Sequence, residues 1–201
     1  MTLANRITLI RALLAIVMFA CILMGGFIAK LAAFVVFIIA AISDWIDGKI
    51  ARKTNTTTIF GAIADPFVDK ILVIAAFLAF AAVRKLNIPL WAVFLILTRE
   101  LAISTLRVLA AAKGQLLSAE RSGKFKTAIQ FISVILIFIV LNMQALAPSY
   151  ELARKISFIT KDFPYVLTVI VAVITLFSGI SYVKNHWKLL TSTWSAGKNN
   201  E

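Results

Sequence analysis

Four of the nine acidic residues of this chain fall in one short stretch, at Asp44, Asp47, Asp65 and Asp69. The first two are three residues apart and the last two are four apart, so on helices each pair lies on one face, separated by about 60° and about 40°. Carboxylates at this density repel one another unless they share protons or a divalent cation. Hard oxygen ligands favour magnesium or manganese. The spacing therefore predicts two helices that face each other across a divalent metal site.

Ion pairing with nearby bases is the alternative explanation for these aspartates. The bases close to them in sequence are Lys49, Arg52, Lys53 and Lys70. An ionised group next to hydrocarbon is costly to place, and four in register need more compensation than a single one. This concentration favours the metal site.

The segments that must position the aspartates are strongly apolar. Of the 201 residues 61% are hydrophobic and the mean hydropathy is +0.95, well above the average of a soluble domain. Six apolar segments approach the roughly 20 residues that cross a bilayer, and they cover residues 12–29, 31–48, 62–83, 88–112, 127–146 and 163–183. We predict an all-α integral membrane protein with six transmembrane helices and one domain over residues 1–201.

The first residues have a pattern of their own. In residues 2–11, Leu3, Ile7 and Ile10 recur at helical spacing among polar residues, which is typical of a short interfacial helix. The alternative is that these residues are the leading end of the first span. A connector without a span is predicted for residues 148–164, which begin and end with proline.

The distribution of basic residues predicts the orientation in the membrane. The net charge is +12, and with six spans twelve loop bases lie on one side and six on the other. The more basic side, which carries both termini and the aspartates, is predicted to be cytoplasmic, in the inner membrane of the cell. Because the charges punctuate apolar segments instead of covering one wet face, no nucleic-acid partner is expected.

The stretch DWIDGKIARKTNTTTIFGAIADPFVD follows the pattern D-x2-D-G-x2-A-R-x8-G-x3-D-x3-D without a departure. In this pattern the sequence resembles the CDP-alcohol phosphotransferase family. The resemblance implies six transmembrane helices, two divalent ions (Mg2+ or Mn2+) at the cytoplasmic side, and attack by an alcohol on the β-phosphorus of a CDP-linked donor with CMP leaving.

The resemblance also implies a role for each matched residue. Asp44, Asp47 and Asp65 would be metal ligands, and Asp69 would combine metal binding with the catalytic role of general base. The residues that would contact the CDP-linked donor are Asn5, Thr8, Gly48, Ala51, Arg52 and Gly61. For Gly48 and Ala51 helix packing is an open alternative, because small residues ease it in membranes. For Arg52 the alternative is snorkelling to lipid headgroups.

Further strings resemble one branch of this family: NRITLIR at 5–11, TRELAISTLR at 98–107, GKFKTAIQ at 123–130 and SGISYVKN at 178–185. The branch resemblance implies CDP-diacylglycerol as donor and sn-glycerol 3-phosphate as acceptor, with phosphatidylglycerophosphate and CMP as products. It also suggests a homodimer, for which the small-residue stretch AAFLAFAA offers an interface.

Basic residues of the fourth span and the following loop are candidates for the acceptor phosphate. These are Arg99, Arg107, Arg121, Lys124 and Lys126. Two alternatives stay open here. The loop bases could serve only membrane orientation. Arg99 could instead pair with Glu100, the one acid of its span.

Other functions are weighed against phosphatidyl transfer to glycerol 3-phosphate. A related enzyme could use another acceptor and make cardiolipin, a phosphatidylinositol phosphate or phosphatidylserine. A divalent-cation transporter would spread its acids through the membrane depth, whereas these four are predicted at one level. A membrane scaffold would leave the eight-position pattern unexplained.

Overall fold

The computed structural model describes the backbone of residues 3–54, 59–112 and 121–187, and the side chains of residues 10–43, 70–110, 123 and 125–187. Within these ranges the chain is helical and has no strand. The α-helices are α1 (Leu3–Leu23), α2 (Phe27–Thr54), α3 (Ile59–Ala82), α4 (Leu90–Ala112), α5 (Arg121–Leu146), α6 (Glu151–Ile159) and α7 (Phe163–Asn185). The all-helical prediction is confirmed.

Two sequence predictions about local structure are changed by these bounds. Residues 2–11 do not form a separate short helix, because α1 runs without a break from Leu3 to Leu23. The alternative, that they are the leading end of the first span, agrees with this continuous helix. The connector at 148–164 contains the helix α6, whose apolar residues are too few to have been recognised as a span.

Tight connections make successive long helices run in opposite directions. Between α1 and α2 the chain turns at Gly26, whose φ of 88° favours glycine. Between α3 and α4 a 3-10 turn, Arg84–Leu86, ends at Asn87 in the left-handed conformation. These two connections and residues 147–162 therefore lie at one end of the bundle, here called the far end. The last turns of α2 and the first turns of α3 lie at the opposite end, here called the aspartate end.

Membrane-spanning character is clearest in two helices. Among the described residues, Phe125–Leu146 and Phe163–Asn185 have the length and the apolar composition to cross a membrane. Shorter apolar helical segments cover Ile10–Leu23, Phe27–Ser43 and Lys70–Ala82. Large apolar side chains also remain exposed on the outside of the bundle, among them Ile28 at 82% and Phe177 at 69%. An outer surface of this kind fits a membrane protein.

The core is centred on Phe138 of α5. Its ring lies 5.5 Å from that of Phe37 on α2 and 4.9 Å, edge to face, from that of Phe80 on α3. All three side chains are fully buried. Aromatic pairs at these distances add about 0.5–1.5 kcal/mol each beyond the area that they bury. This contact fixes α2 and α3, the two helices that carry the aspartates, against α5.

The small-residue stretch at 75–82 packs inside this core. Ala76, Phe77, Ala79 and Phe80 are each 0% exposed. These residues bring helices of the same chain together, while Leu78 of the stretch is 40% exposed, and the dimer interface stays a prediction.

Candidate active site

The aspartate motif occupies two helix ends. Asp44 and Asp47 lie in the last turns of α2, together with Gly48, Ala51 and Arg52. Gly61, Asp65 and Asp69 lie in the first turns of α3. The side chains of these residues lie outside the described part of the chain. Their helical placement brings both pairs to one end of the bundle, and that the two pairs face each other stays a prediction.

The carboxylates of this motif are chemically suited to a metal. Hard divalent cations take oxygen ligands, and each helix brings two carboxylates to the same end of the bundle. The residues present therefore fit magnesium or manganese. Asn5 and Thr8 lie in the first turns of α1, and their side chains are also outside the described residues.

Beside the aspartate end, a buried cluster of charges is organised by Glu100 of α4. The carboxylate is 3% exposed. It accepts a hydrogen bond from Lys126 of α5 at Oε1, and Arg99 Nη1 lies 3.5 Å from the same oxygen. Lys70 Nζ of α3 lies 3.2 Å from Oε2. One carboxylate thus joins three helices through three cations.

Neutral polar side chains complete the cluster from α5 and α7. Gln130 Nε2 donates to Glu100 Oε1 at 3.1 Å and lies 3.3 Å from Thr175 Oγ1. Arg99 Nη2 donates to Ser178 Oγ at 3.0 Å. The hydroxyl of Ser104 accepts a hydrogen bond from Lys70 and donates to the backbone carbonyl of Glu100 at 2.7 Å. These contacts hold the cations in fixed positions instead of leaving them to solvent.

Arg107 has separate contacts and lies about two turns beyond Glu100 on α4. Its Nε donates to the hydroxyl of Tyr182 on α7 at 3.3 Å, and its guanidinium carbon lies 5.1 Å from the centre of the Tyr182 ring. Gly123 of α5 is close, since a Cβ there would lie 3.8 Å from Arg107 Nη2. The aromatic ring and the hydroxyl orient the guanidinium without neutralising it.

The cluster and Arg107 together have more positive than negative charge. Lys70, Arg99 and Lys126 of the cluster and the nearby Arg107 are accompanied by the single carboxylate of Glu100, an excess of three positive charges. Arg99 and Lys126 are buried and Lys70 and Arg107 are partly buried, so such an excess is stabilised by additional negative charge nearby. The aspartate motif supplies negative charge at the same end of the bundle, and an anionic ligand would supply more.

A cavity of about 230 Å3 opens beside Glu100, between α3, α4 and α5. Lys70, Glu100 and Gln130 line its polar side, while Phe77, Ile96 and Phe131 line its apolar side. The cavity can therefore hold a ligand that has both charged and apolar parts.

The structure brings some of the predicted acceptor residues together and separates others. Arg99 and Lys126 share one carboxylate, and Arg107 lies on Tyr182. The sequence analysis placed Arg121, Lys124 and Lys126 in a loop. This prediction is wrong, because α5 already begins at Arg121 and all three residues are helical. Lys126 is buried, and the side chains of Arg121 and Lys124 lie outside the described residues.

Several residues of the cluster were not singled out from the sequence. These are Ser104, Gln130, Thr175, Ser178 and Tyr182. A signal was present, since Glu100 and Ser104, Lys126 and Gln130, and Ser178 and Tyr182 are polar pairs four residues apart in apolar segments. Such pairs lie on one helix face and indicate a polar seam between helices.

Comparisons of the sequence with known proteins identify its family. Residues 1–178 match the family model for CDP-alcohol phosphatidyltransferases. The chain belongs to the CDP-alcohol phosphatidyltransferase family.

Relatives within the family share one name or a closely related one. The chain is 36% identical over 168 residues to the CDP-diacylglycerol--glycerol-3-phosphate 3-phosphatidyltransferase of Bacillus subtilis, which covers 83% of this chain and 79% of the relative. It is 30% identical over 169 residues to the enzyme of the same name from Treponema pallidum, covering 82% and 74%. It is 36% identical over 135 residues to the probable phosphatidylglycerophosphate synthase of Mycobacterium tuberculosis H37Rv, covering 66% and 63%.

Proposed function

We propose that this chain transfers the phosphatidyl group of CDP-diacylglycerol to sn-glycerol 3-phosphate, giving phosphatidylglycerophosphate and CMP. The observation that carries the proposal is the excess of cations in the cluster around Glu100 and at Arg107 beside Tyr182, at the same end of the bundle as the aspartate motif. A dianionic acceptor requires positive charge next to an acidic metal centre that would otherwise repel it. The names of the relatives support the same substrates.

The proposed reaction is a displacement at phosphorus. The primary hydroxyl of the acceptor attacks the β-phosphorus of the donor, a new P–O bond forms, and the P–O bond to CMP breaks. Asp69 takes the proton of the attacking hydroxyl. Asp44, Asp47, Asp65 and Asp69 would hold two divalent ions, which when bound would neutralise the pyrophosphate and the charge that develops on the leaving oxygen.

The donor and the acceptor would be held by different groups of residues. Asn5, Thr8, Gly48, Ala51, Arg52 and Gly61 are proposed to contact the CDP part of the donor. Arg107 is proposed as the main contact of the acceptor phosphate, with Arg99, Arg121, Lys124 and Lys126 around it. Arg107 is favoured because its described contacts are to a neutral phenol, which leaves its charge available to an anion. Glu100 already compensates Arg99 and Lys126.

The proposed setting is the cell membrane. Six spans would place both termini and the aspartate end on the cytoplasmic side, where the water-soluble acceptor glycerol 3-phosphate and a lipid donor in the inner leaflet could both reach the site. The basic loop residues on that side support the orientation. A homodimer is proposed as the assembled state.

The decisive experiment measures the product made by purified protein in lipid from CDP-diacylglycerol, magnesium and a panel of alcohols. Glycerol 3-phosphate should give phosphatidylglycerophosphate and stoichiometric CMP, while glycerol, serine and inositol should not. Preferred reaction with phosphatidylglycerol, inositol phosphate or serine would identify a related synthase with another acceptor. CMP release with no acceptor at all would indicate hydrolysis and would contradict the proposal. Magnesium uptake into vesicles without CMP release would favour a cation transporter.

A further inference from the structure

The short helix α6 has an apolar stripe that the rest of the described chain does not cover. Leu152 is 71% exposed and Ile159 is 81% exposed. Seven residues separate them, so they lie only about 20° apart around the helix. Exposed side chains of this size cost free energy in water, and two on one stripe need an apolar environment.

The other two faces of α6 have different surroundings. Ala153 is 5% exposed and lies about 100° from Leu152, on the face that packs on the bundle. Arg154 lies about 160° from Leu152, and Glu151 and Lys155 lie about 100° and about 60° from Leu152, so the charged face extends from Arg154 to the edge of the apolar stripe. Phe158 also lies on that charged face and is 82% exposed. A helix with a protein-facing side, an apolar side and a charged side matches one that lies at a membrane surface.

The position of α6 in the chain supports this setting. It lies between α5 and α7, the two helices with the clearest capacity to cross a membrane, and a few residues join it to each. At this side, where α5 ends and α7 begins, the hydrocarbon of the bilayer gives way to headgroups. The apolar stripe of α6 is therefore held at the level of the boundary between acyl chains and headgroups.

The charges at the far end of the bundle indicate the kind of lipid. Six bases and two acids lie in or next to the far-end connections: Lys30, Arg84, Lys85, Arg154, Lys155, Lys161, Glu151 and Asp162. Their sum is +4. The turn that carries Lys85 lies next to the end of α5, since Gln144 Nε2 is 3.5 Å from the Lys85 carbonyl. Lys155 is paired with Glu151 at 3.4 Å, whereas no ion pair to Arg154 or Lys161 is formed by the described residues.

We propose that α6 is a docking surface for anionic phospholipid at the far end of the bundle. Leu152 and Ile159 insert at the boundary of the acyl chains, and Arg154 and Lys161 contact the headgroup phosphates. A second copy of the chain fits the surface less well, because two exposed side chains offer far less area than a stable dimer buries and facing copies would bring like charges together. The proposal requires that α5 and α7 cross a membrane and does not rest on phosphatidyl transfer.

Fluorescence quenching in vesicles tests the position of α6. A thiol-reactive fluorophore is placed on Leu152→Cys, Ile159→Cys or Arg154→Cys of the full chain, in a Cys21→Ala background because Cys21 is the one native cysteine. Nitroxide lipids should quench the first two labels, and aqueous iodide should quench the third. Iodide quenching at 152 and 159 would overturn the proposal. Energy transfer between labelled copies, with protection from both quenchers, would overturn it in favour of a second copy.

The charge of the lipid is tested with the label on Ile159→Cys. Nitroxide phosphatidylglycerol should quench more than nitroxide phosphatidylcholine at equal mole fraction. Arg154→Gln with Lys161→Gln should reduce the relative affinity for the anionic lipid by about fivefold for each cation removed. Arg154→Lys with Lys161→Arg keeps the charge and should keep the preference. Equal quenching by both lipids in the unsubstituted helix would overturn the anionic specificity.

Discussion

Glu100 and Lys126 form a buried ion pair between α4 and α5, and the same carboxylate also contacts Lys70 and Arg99. The sequence places an acid next to Arg99, but only the packing of the helices shows that this acid serves three cations. The carboxylate therefore has two effects: it makes the burial of these cations tolerable, and it fixes where their charges point.

Glu100→Gln should destabilise the protein and abolish activity. The substitution keeps the size of the side chain but leaves three buried cations without their shared counter-charge. Removal of one partner of a buried ion pair typically costs about 3–5 kcal/mol. Thermal unfolding of purified protein in detergent, together with CMP release, measures both effects.

Glu151→Gln is the matched control for this substitution. Glu151 pairs with Lys155 at 3.4 Å, but both side chains are about 70% exposed. A solvent-exposed pair at this spacing contributes only about 0.3–0.5 kcal/mol. If both glutamine variants unfold at the same temperature as the parent protein, Glu100 is not the organising residue of the cluster.

Much of the fold could be predicted from the sequence. Apolar segments of spanning length locate the long helices to within several residues, because in lipid every backbone polar group must be satisfied inside a helix. Short helices and loop lengths are less accessible. The helix α6 was missed because its nine residues are both charged and apolar, and α5 begins in a basic stretch that reads as a loop.

The site could be predicted only in part. The aspartate pattern has fixed spacings along two helix ends, so local geometry suffices to recognise it. The contacts of Glu100 join residues 26 and 30 positions apart in sequence, and Arg107 meets Tyr182 across 75 positions. These long-range contacts decide which cations are neutralised by the protein and which remain available to a ligand.

Arg107→Ala should raise the KM for glycerol 3-phosphate more than the KM for CDP-diacylglycerol. A lost hydrogen bond to a charged group costs roughly 1.5–3 kcal/mol, or about 10- to 150-fold. Lys155→Ala, which removes an exposed base at the far end, should leave both KM values unchanged. Initial rates with each substrate varied separately measure the split.

A comparison with Lys126→Ala makes the Arg107 test sharper. Lys126→Ala removes a counter-charge of Glu100, so its effect on KM mixes the loss of a phosphate contact with disturbance of the cluster. In Lys126→Ala the carboxylate of Glu100 keeps Lys70 and Arg99 as partners, so adding Glu100→Gln should lower stability further. Two results together would reject the proposed acceptor phosphate pocket. The KM for glycerol 3-phosphate would be unchanged in correctly inserted Arg107→Ala and Lys126→Ala proteins, and a neutral acceptor would compete well with glycerol 3-phosphate.

Gly179→Ala should displace Arg99. A Cβ at Gly179 would lie 2.9 Å from Arg99 Cγ and 3.2 Å from Nε, which is closer than packing allows. The expected result is reduced CMP release, even though alanine is otherwise about 1 kcal/mol better than glycine within a helix. Activity and thermal unfolding are measured together.

Two comparisons separate this clash from a general effect of alanine. In an Arg99→Ala background the clashing atoms are absent, so Gly179→Ala should cause no further loss of activity and should stabilise α7. Gly25→Ala is the neutral control, because nothing lies within 4 Å of its added Cβ. An equal loss of activity from Gly179→Ala in both backgrounds would show that Arg99 is not the residue affected.

Cysteines introduced at Thr56 and Ser149 should be labelled from opposite sides of the membrane. Thr56 falls between α2 and α3 in the sequence, outside the described residues, and Ser149 is exposed at the far end. In a Cys21→Ala background, a membrane-impermeant thiol reagent applied to intact cells should reach only Ser149→Cys, and Thr56→Cys should react after the cells are opened. The excess of bases at the aspartate end is the physical reason. Labelling of both positions from the same side would refute the six-span arrangement.

Removal of divalent ions should abolish CMP release while the protein stays folded. The aspartates at the ends of α2 and α3 can be ionised together only with cation compensation, so chelation should remove the compensation needed by the reaction and leave the aromatic core intact. Magnesium or manganese should restore activity.

Asp44→Asn and Asp65→Asn should each be inactive at saturating magnesium, because an amide is a neutral and weaker ligand. Ser149→Ala, at an exposed site at the far end, is the control for handling and reconstitution and should keep full activity. Turnover at the full rate in excess chelator would reject the metal-dependent mechanism, and a substantially active Asp44→Asn or Asp65→Asn would exclude that residue as an obligatory ligand.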